Sequence, residues 1–313
     1  MPNLADEFLL LVHNAQEAGI EWKGRPAVKR STFSIGDGQT IAALWWGDSE
    51  PEWMFCHGGA QNAHTWDTTI LAMGAASGAP INAVAIDLPG HGRSSWRTDQ
   101  MYDPATNAVA VISVIRQLGV GAVNLVGMSL GGLTSICVAA QVPELINRLA
   151  VVDVTPGTNH AKAKAIADFI RGPQYFDSFD DLLKRTIEHN PTRSETSLRR
   201  GILHNARELE DGRWQWVYDR LELAATPEES TVDSPETGST EFNPLWDKVS
   251  EISRPLMLLR GSTSPVVDDA DVAEFQRRQP TARVEVVAAA GHSIQGDQPV
   301  ELARLLNDFG AIL

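Results

Sequence analysis

Short apolar runs and amphipathic stretches alternate along most of the chain. Apolar runs predict strands at 28–33, 40–46, 53–56, 83–86, 123–126, 149–152, 256–259 and 284–287. Helical patterns lie between them at 103–118, 133–141, 271–278 and 299–309, and the first of these opens with Asp103 as cap and Pro104. Strands that are apolar throughout and alternate with helices predict an α/β fold with a mostly parallel, doubly wound sheet.

This alternation stops between residue 155 and about residue 249. The interval has helical patterns at 162–170 and 179–188, an aromatic stretch at 214–218, and a stretch at 226–243 with five acids and no bases. The acidic stretch predicts a mobile loop. Because the strand and helix pattern resumes afterwards, we expect a core of 1–153 plus 249–313 and a cap insertion of 154–248. An unrelated second domain is the less favoured alternative.

The N-terminal residues predict an amphipathic helix. Its apolar face would hold Leu4, Phe8, Leu11, Val12 and Ala15, with Asn3 as cap and Gly19 as stop. The apolar run at 8–12 has five residues, follows two acids and has no preceding Lys or Arg, so it does not fit a signal peptide. Since no apolar run reaches the roughly 20 residues of a membrane span, a cytoplasmic protein is expected.

Composition narrows the classes of partner. The 313 residues include 26 Lys and Arg against 40 Asp and Glu, a formal net charge of −14. That balance argues against binding to nucleic acid or to an anionic membrane surface. Two cysteines cannot form a disulfide framework, which favours a reducing compartment. We therefore expect a small-molecule partner; the sequence does not indicate an oligomeric state.

The strongest chemical signal is Gly-Met-Ser-Leu-Gly at 127–131, between a predicted strand and a predicted helix. G-x-S-x-G in this setting forms a tight turn that raises the serine hydroxyl at the sheet edge. Gly127, Gly131 and Gly132 remove side chains that would clash with this turn. Ser129 is therefore the predicted nucleophile.

A serine hydroxyl needs a base to become a nucleophile. His292 is the predicted base among eight histidines, because it follows the last strand. His57 and His91 lie beside glycines, where they would hold turns by hydrogen bonds, and His64 is a possible substrate contact.

The segment Phe-Cys-His-Gly-Gly at 55–59 ends a predicted strand. Its glycines allow a bend that points the amide of Gly59 into the site. Together with the amide of Leu130, it would form an oxyanion hole.

These motifs resemble the α/β-hydrolase fold superfamily. The resemblance rests on 57–59, 87–94, the turn around Ser129, and Gly291-His292, in family order. It implies the hydrolase fold and ester-type hydrolysis without a cofactor, and it implies a structural role for 87–94. Haloalkane dehalogenases and epoxide hydrolases of this fold have aspartate at the nucleophile position, so serine argues against both activities.

The third member of the triad departs from the commonest family pattern. Many relatives have an acid in the loop that follows the strand after the cap, but here residues 260–267 contain no carboxylate. Asp268 comes later and fits a helix cap. Asp153 follows the strand before the cap, 24 residues after Ser129, and some relatives resemble this arrangement. Asp153 is therefore predicted to pair with His292.

Together these residues predict a cofactor-independent serine hydrolase that cleaves a small to medium apolar or aromatic carboxylic ester through an acyl-enzyme. Trp214 and Trp216 would supply an apolar wall of the site or the cap's own core, and the pattern does not decide between them. Hydrolysis of a lactone or of a carbon–carbon bond is the alternative within the fold. A non-catalytic ligand-binding protein is the alternative of a different class. No spacing in the sequence predicts a metal site or a phosphate loop.

Overall fold

The structure is a computed structural model that describes residues 6–219 and 244–311. The predicted acidic loop at 226–243, the cap residue Asn3 and Leu4 lie outside the described residues. None of the described helices has both the length and the hydropathy to cross a bilayer.

Eleven strands are found in the described part of the chain. In chain order they are β1 Val28–Gly36, β2 Gln39–Trp46, β3 Trp53–Cys56, β4 Ala83–Ile86, β5 Val123–Met128, β6 Ile146–Val152, β7 Tyr175–Phe176, β8 Ala206–Glu208, β9 Trp214–Trp216, β10 Leu256–Gly261 and β11 Arg283–Val287. Eight of them form one sheet in the order β1-β2-β4-β3-β5-β6-β10-β11. Strand β2 runs in the direction opposite to the other seven strands, so the sheet is mostly parallel, as predicted.

The described helices either cover the two faces of this sheet or belong to the segment that follows β6. They are α1 Leu11–Glu17, α2 Asp67–Ser77, α3 Pro104–Leu118, α4 Leu130–Gln141, α5 His160–Ile170, α6 Phe179–His189, α7 Glu195–Asn205, α8 Leu245–Glu251, α9 Asp269–Arg278, α10 Ile294–Asp297 and α11 Pro299–Ala311. Helices α3, α4, α8 and α9 bury their apolar residues against one face, and α1, α2 and α11 against the other. This is the predicted doubly wound arrangement.

The segment between β6 and α8 has a core of its own. Its strands form a small antiparallel sheet in the order β7-β9-β8, and helices α6 and α7 pack with it around Leu182, Leu198, Ile202 and Trp216. The sequence pattern predicted helices and an aromatic stretch here, but not this sheet. Such short strands carry too few residues for an alternating pattern to stand out.

The N-terminal helix begins later than its apolar pattern predicted. Helix α1 starts at Leu11, and turns precede it. A carboxylate oxygen of Asp6 accepts a hydrogen bond from the amide of Phe8 at 3.0 Å, and this local bond favours a turn over a continuous helix. Phe8, Leu11 and Ala15 are nevertheless buried, so the predicted apolar face is largely used.

Candidate active site

Ser129 lies in the tight turn between β5 and α4. Its backbone has φ 51° and ψ −120°, a conformation that side chains other than glycine rarely adopt. A Cβ on Gly127 would lie 2.3 Å from the carbonyl oxygen of Gly131, and one on Gly131 would lie 2.4 Å from that of Cys56. The turn therefore closes only with glycine on either side of the serine, as the motif predicted.

The structure brings His292 and Asp153 together from segments 139 residues apart. Nδ1 of His292 lies 2.8 Å from Oδ2 of Asp153, which is fully buried at the end of β6. A carboxylate only accepts hydrogen bonds, so Nδ1 is the protonated nitrogen of this pair. Nε2 is buried and forms no hydrogen bond with any described residue. It is thus left as an acceptor.

Two further groups hold the Asp153 carboxylate. The amide of Gly261 donates to Oδ1 at 2.8 Å, and the hydroxyl of Ser264 donates to Oδ2. The sequence interpretation did not single out Ser264. Its signal was indirect, because Ser264 lies in the 260–267 loop where a carboxylate was expected and not found.

Asp268 caps helix α9 instead of approaching His292. Its side chain accepts a hydrogen bond from the amide of Asp271 at 2.9 Å. The side chain of Asp271 in turn accepts one from the amide of Asp268 at 3.1 Å. This capping box agrees with the role that the sequence predicted for Asp268.

The loop after β3 lies directly against the serine. A Cβ on Gly58 would be 2.5 Å from the sulfur of Met128 and 3.2 Å from Cβ of Ser129. In the described part of the chain, neither the amide of Gly59 nor that of Leu130 has a hydrogen-bond partner. Both amides are thus available as donors.

Two buried histidines fix this loop. Nε2 of His57 accepts the amide of Leu88 at 2.9 Å, and Nε2 of His91 accepts the amide of Ala60 at 3.1 Å. Burial lowers the pKa of His57 to about 3, so its ring stays neutral and keeps this acceptor. The predicted turn-holding contacts are therefore present.

Ser129, His292 and Gly59 line one cavity of about 370 Å³. Its apolar lining residues include Ile166, Phe169, Ile170, Leu198 and Trp216. Its polar and charged lining residues include Asn190, Thr192, Arg193, Arg200 and Asp297.

The predicted aromatic contacts divide between the cavity and the cap's own core. Trp216 lines the cavity and is also packed in the apolar cluster of the segment between β6 and α8. Trp214 is not among the described residues that line the cavity; its ring packs edge-on against Phe179, with centroids 5.0 Å apart. Trp216 thus fits both interpretations of this aromatic stretch, and Trp214 fits the cap's own core.

His64 also lines the cavity, but both of its ring nitrogens are engaged. Nδ1 lies 2.8 Å from Oδ2 of Asp67, and Nε2 lies 3.3 Å from Oε2 of Glu7. Although burial opposes protonation, these carboxylates raise the pKa of His64 to about 9. The ring of His204 stacks on it with centroids 3.7 Å apart. The predicted contact of His64 with a substrate therefore stays a prediction.

One side-chain group corrects the expectation that the chain has no potential metal-ligand cluster. Ligand atoms of His64, Asp67 and His204 lie within 4.8 Å of one another, a grouping that could hold a metal ion. Sequence spacing could not reveal it, because His204 comes from α7, far along the chain from the other two. The hydrogen bonds of His64 to two carboxylates already account for its ring nitrogens.

Comparison with protein families gives the class to which this fold and site belong. The model of the alpha/beta hydrolase family matches residues 54–305. The chain belongs to this family, and the predicted fold and family are confirmed.

Among known proteins, the chain is similar to the esterase Rv0045c of Mycobacterium tuberculosis. The two are 41% identical over 308 residues, which cover 96% of this chain and 94% of the esterase. A crystal structure of that esterase matches with a TM-score of 0.80 and covers all of both chains. The chain is also 26% identical to the sn-1-specific diacylglycerol lipase ABHD11 of Danio rerio, over 97% of this chain and 89% of the lipase.

Proposed function

We propose that the protein is a serine esterase whose triad is Ser129, His292 and Asp153. The observation that carries this proposal is the hydrogen bond from Nδ1 of His292 to Asp153, which leaves Nε2 as an acceptor at the cavity that Ser129 lines. The 41% identical relative is named an esterase, in agreement with the predicted class of reaction.

In the proposed mechanism, Ser129 attacks the ester carbonyl while Nε2 of His292 takes its proton. The amides of Gly59 and Leu130 donate to the oxyanion that forms. His292 then protonates the leaving alcohol, and water attacks the acyl-enzyme by the same steps in reverse. Asp153 holds the ring in the tautomer with the proton on Nδ1 and stabilises the imidazolium. Ser129 forms no hydrogen bond to His292 in the free protein, and such contacts commonly tighten only when substrate binds.

The cavity supports a small to medium carboxylic ester as substrate. Its volume of about 370 Å³ lies at the lower end of the usual range for small-molecule sites. Its apolar lining residues, among them Phe169 and Trp216, would hold an aliphatic or aromatic part of the ester. An assay panel that includes lactones and β-diketones would separate ester cleavage from the two predicted alternatives within the fold.

We further propose that 154–248 acts as the cap of a core formed by 1–153 and 249–313. Residues of α5 and α7 line the cavity together with Ser129, so this segment would select the substrate while the core performs the chemistry.

The cysteines Cys56 and Cys137 are both buried free thiols. This supports the proposal of a reducing, cytoplasmic location.

Replacement of the nucleophile tests the proposal. We expect Ser129→Ala to abolish covalent labelling by a fluorophosphonate and to lower kcat for p-nitrophenyl butyrate by several orders of magnitude. Ser77→Ala, at an exposed position at the end of α2, serves as the control and should keep both. Near-normal ester hydrolysis by a folded Ser129→Ala variant would overturn the proposal.

A further inference from the structure

The charged residues around the cavity are mostly basic, whereas the whole chain is acidic. The chain has 14 more acidic than basic residues, yet among the described residues the charged ones that line the cavity, apart from histidines, are Lys162, Arg193, Arg200 and one carboxylate, Asp297. A site that accumulates cations in an acidic protein favours an anionic ligand.

Two of these three cations are neutralised within the protein. Nζ of Lys162 lies 2.9 Å from a carboxylate oxygen of Asp268 and 2.7 Å from one of Asp271. Arg200 forms an ion pair with Glu17. Their charges are therefore already satisfied.

Arg193 differs from both. Within the part of the chain that the structure describes, no carboxylate oxygen lies within 4.0 Å of its guanidinium. One Nη donates to the hydroxyl of Ser197 at 2.6 Å, and Nε is buried without a partner. The carboxylate of Asp297 acts on Arg193 only through its charge. Its Oδ2 accepts from the amide of Gly291 at 2.8 Å and from the hydroxyl of Thr192 at 3.1 Å, and its Oδ1 has no hydrogen-bond partner among the described residues.

The electrostatic balance points the same way. Burial lowers the pKa of Arg193 below its ordinary value, and the charge of Arg200 adds to this, although Asp297 and Glu17 act in the opposite direction. Because an arginine side chain keeps its proton at neutral pH, the lowered pKa describes a cation that burial disfavours more than the nearby carboxylates favour it. A negatively charged ligand group would supply the missing compensation.

Arg193 also lies next to the loop that carries His292. A Cβ on Gly296 would be 2.8 Å from Cζ of Arg193, so the guanidinium packs directly on the backbone of α10. The bond from Thr192 to Asp297 fastens the same segment to this loop. The guanidinium thus faces the cavity from beside the proposed base.

We propose that Arg193 binds a carboxylate group of the substrate, so that the protein hydrolyses esters that carry a free carboxylate. This inference rests on the proposed esterase function and narrows its substrate class. The planar guanidinium matches the two oxygens of a carboxylate, and a single cation without an ion-pair partner among the described residues suits a monoanion better than a phosphate dianion. Phe169 and Trp216, which line the same cavity, receive the hydrocarbon part of the substrate.

Pairs of esters that differ only in charge test the proposal. Monoethyl glutarate against diethyl glutarate places the carboxylate on the acyl side. Butanoyloxyacetate against its methyl ester places it on the alcohol side. For the wild-type protein we expect a higher kcat/KM for the charged member of at least one pair. Arg193→Gln should lower the charged-to-neutral ratio of kcat/KM by about tenfold to a hundredfold, chiefly through KM, as the loss of a charge-assisted bidentate contact does.

Two further variants sharpen the test. Arg193→Lys keeps the charge without the fork and should retain part of the preference. Arg199→Gln is the matched control on α7, the helix that follows Arg193, because Arg199 is exposed, pairs with Glu195 and does not line the cavity. It should leave the ratio unchanged.

The possible failures are distinguishable. If neither member of either pair is hydrolysed and fluorophosphonate does not label Ser129, the esterase proposal itself fails. If the neutral esters are hydrolysed but the charged members are not preferred, or if Arg193→Gln leaves the ratio unchanged, the role of Arg193 is refuted and the esterase proposal stands.

Discussion

Two histidine–carboxylate pairs lie at this cavity. In both, Nδ1 of the ring lies against an aspartate oxygen. Nδ1 of His292 is 2.8 Å from Asp153, and Nδ1 of His64 is 2.8 Å from Asp67. They differ at the other nitrogen. Nε2 of His292 has no partner among the described residues, whereas Nε2 of His64 faces Glu7 at 3.3 Å.

The difference shows that a histidine–carboxylate pair does not by itself define a catalytic base. A base needs one nitrogen held and the other available to the substrate. The second carboxylate at His64 instead favours the imidazolium, whose pKa of about 9 makes it a poor proton acceptor at neutral pH. The pair with Asp153 is thus the one suited to catalysis, and the pair with Asp67 the one suited to stability.

The largest expected effect is on the His292 pair. Asp153→Asn should lower kcat by roughly 10⁴, because an amide can hold the imidazole in the wrong tautomer. The control is Asp268→Asn, since asparagine also caps helices well and Asp268 serves as the cap of α9. Steady-state kinetics on one ester would check both. A larger loss in Asp268→Asn than in Asp153→Asn would reverse the assignment.

The second effect is on stability at the His64 pair. A folded pKa of about 9 against 6.5 in the unfolded chain stabilises the protein fully below pH 6.5, and this contribution is lost as the pH rises to about 9. The shift corresponds to about 3 kcal/mol. In urea denaturation, we expect the free energy of unfolding of the wild-type protein to fall across this window. His64→Gln should be less stable at pH 6.5 and should largely lose the dependence.

The matched control for that experiment is His13→Gln, an exposed position on α1. It should follow the wild-type curve. The kcat of a folded His64→Gln variant should stay within about tenfold of wild type, because its nitrogens are bound to carboxylates. A drop comparable to that of Asp153→Asn would place His64 in the chemistry and abolish the contrast between the two pairs.

The smallest expected effect is at Ser264, which supports Asp153 from the loop after β10. Ser264→Ala removes one hydrogen bond to a buried carboxylate, and we expect kcat to fall by about tenfold. Ser262→Ala is the control in the same loop, since its hydroxyl accepts from the amide of Ala289 and does not touch Asp153. Equal rates for the two variants would mean that Ser264 does not position the acid.

The parallel sheet was the part of the fold most accessible from sequence. Strands β3 and β4 have the predicted bounds because they are short, fully apolar and buried on both faces. Helix α3 begins where Asp103 and Pro104 indicated. Helices α2 and α7 were missed, because each contains an internal glycine and an irregular apolar pattern, and their stability comes from packing against distant elements.

The site divides in the same way. Ser129, His292 and Asp153 follow strands, so sheet topology alone places them at one edge. Ser264 and His204 contact residues far away in sequence, and Arg193 packs on Gly296 of α10, so no local pattern marks any of the three. Their roles depend on which side chains the cap segment and the 260–267 loop bring to the cavity, and only the three-dimensional structure supplies this information.

The backbone at Ser129 and Asp153 has a consequence for how this protein can change. Both residues have φ near 50°, and such conformations cost about 1–3 kcal/mol each in residues other than glycine. Glycine would relieve that cost, whereas its greater freedom in the unfolded chain would lower the stability by only about 0.5–1 kcal/mol. At Ser129 we therefore expect glycine to stabilise the fold while removing the proposed nucleophile. At Asp153 glycine would also leave the amide of Gly261 and the hydroxyl of Ser264 without their acceptor, so the carboxylate there contributes to stability as well as to the proposed chemistry.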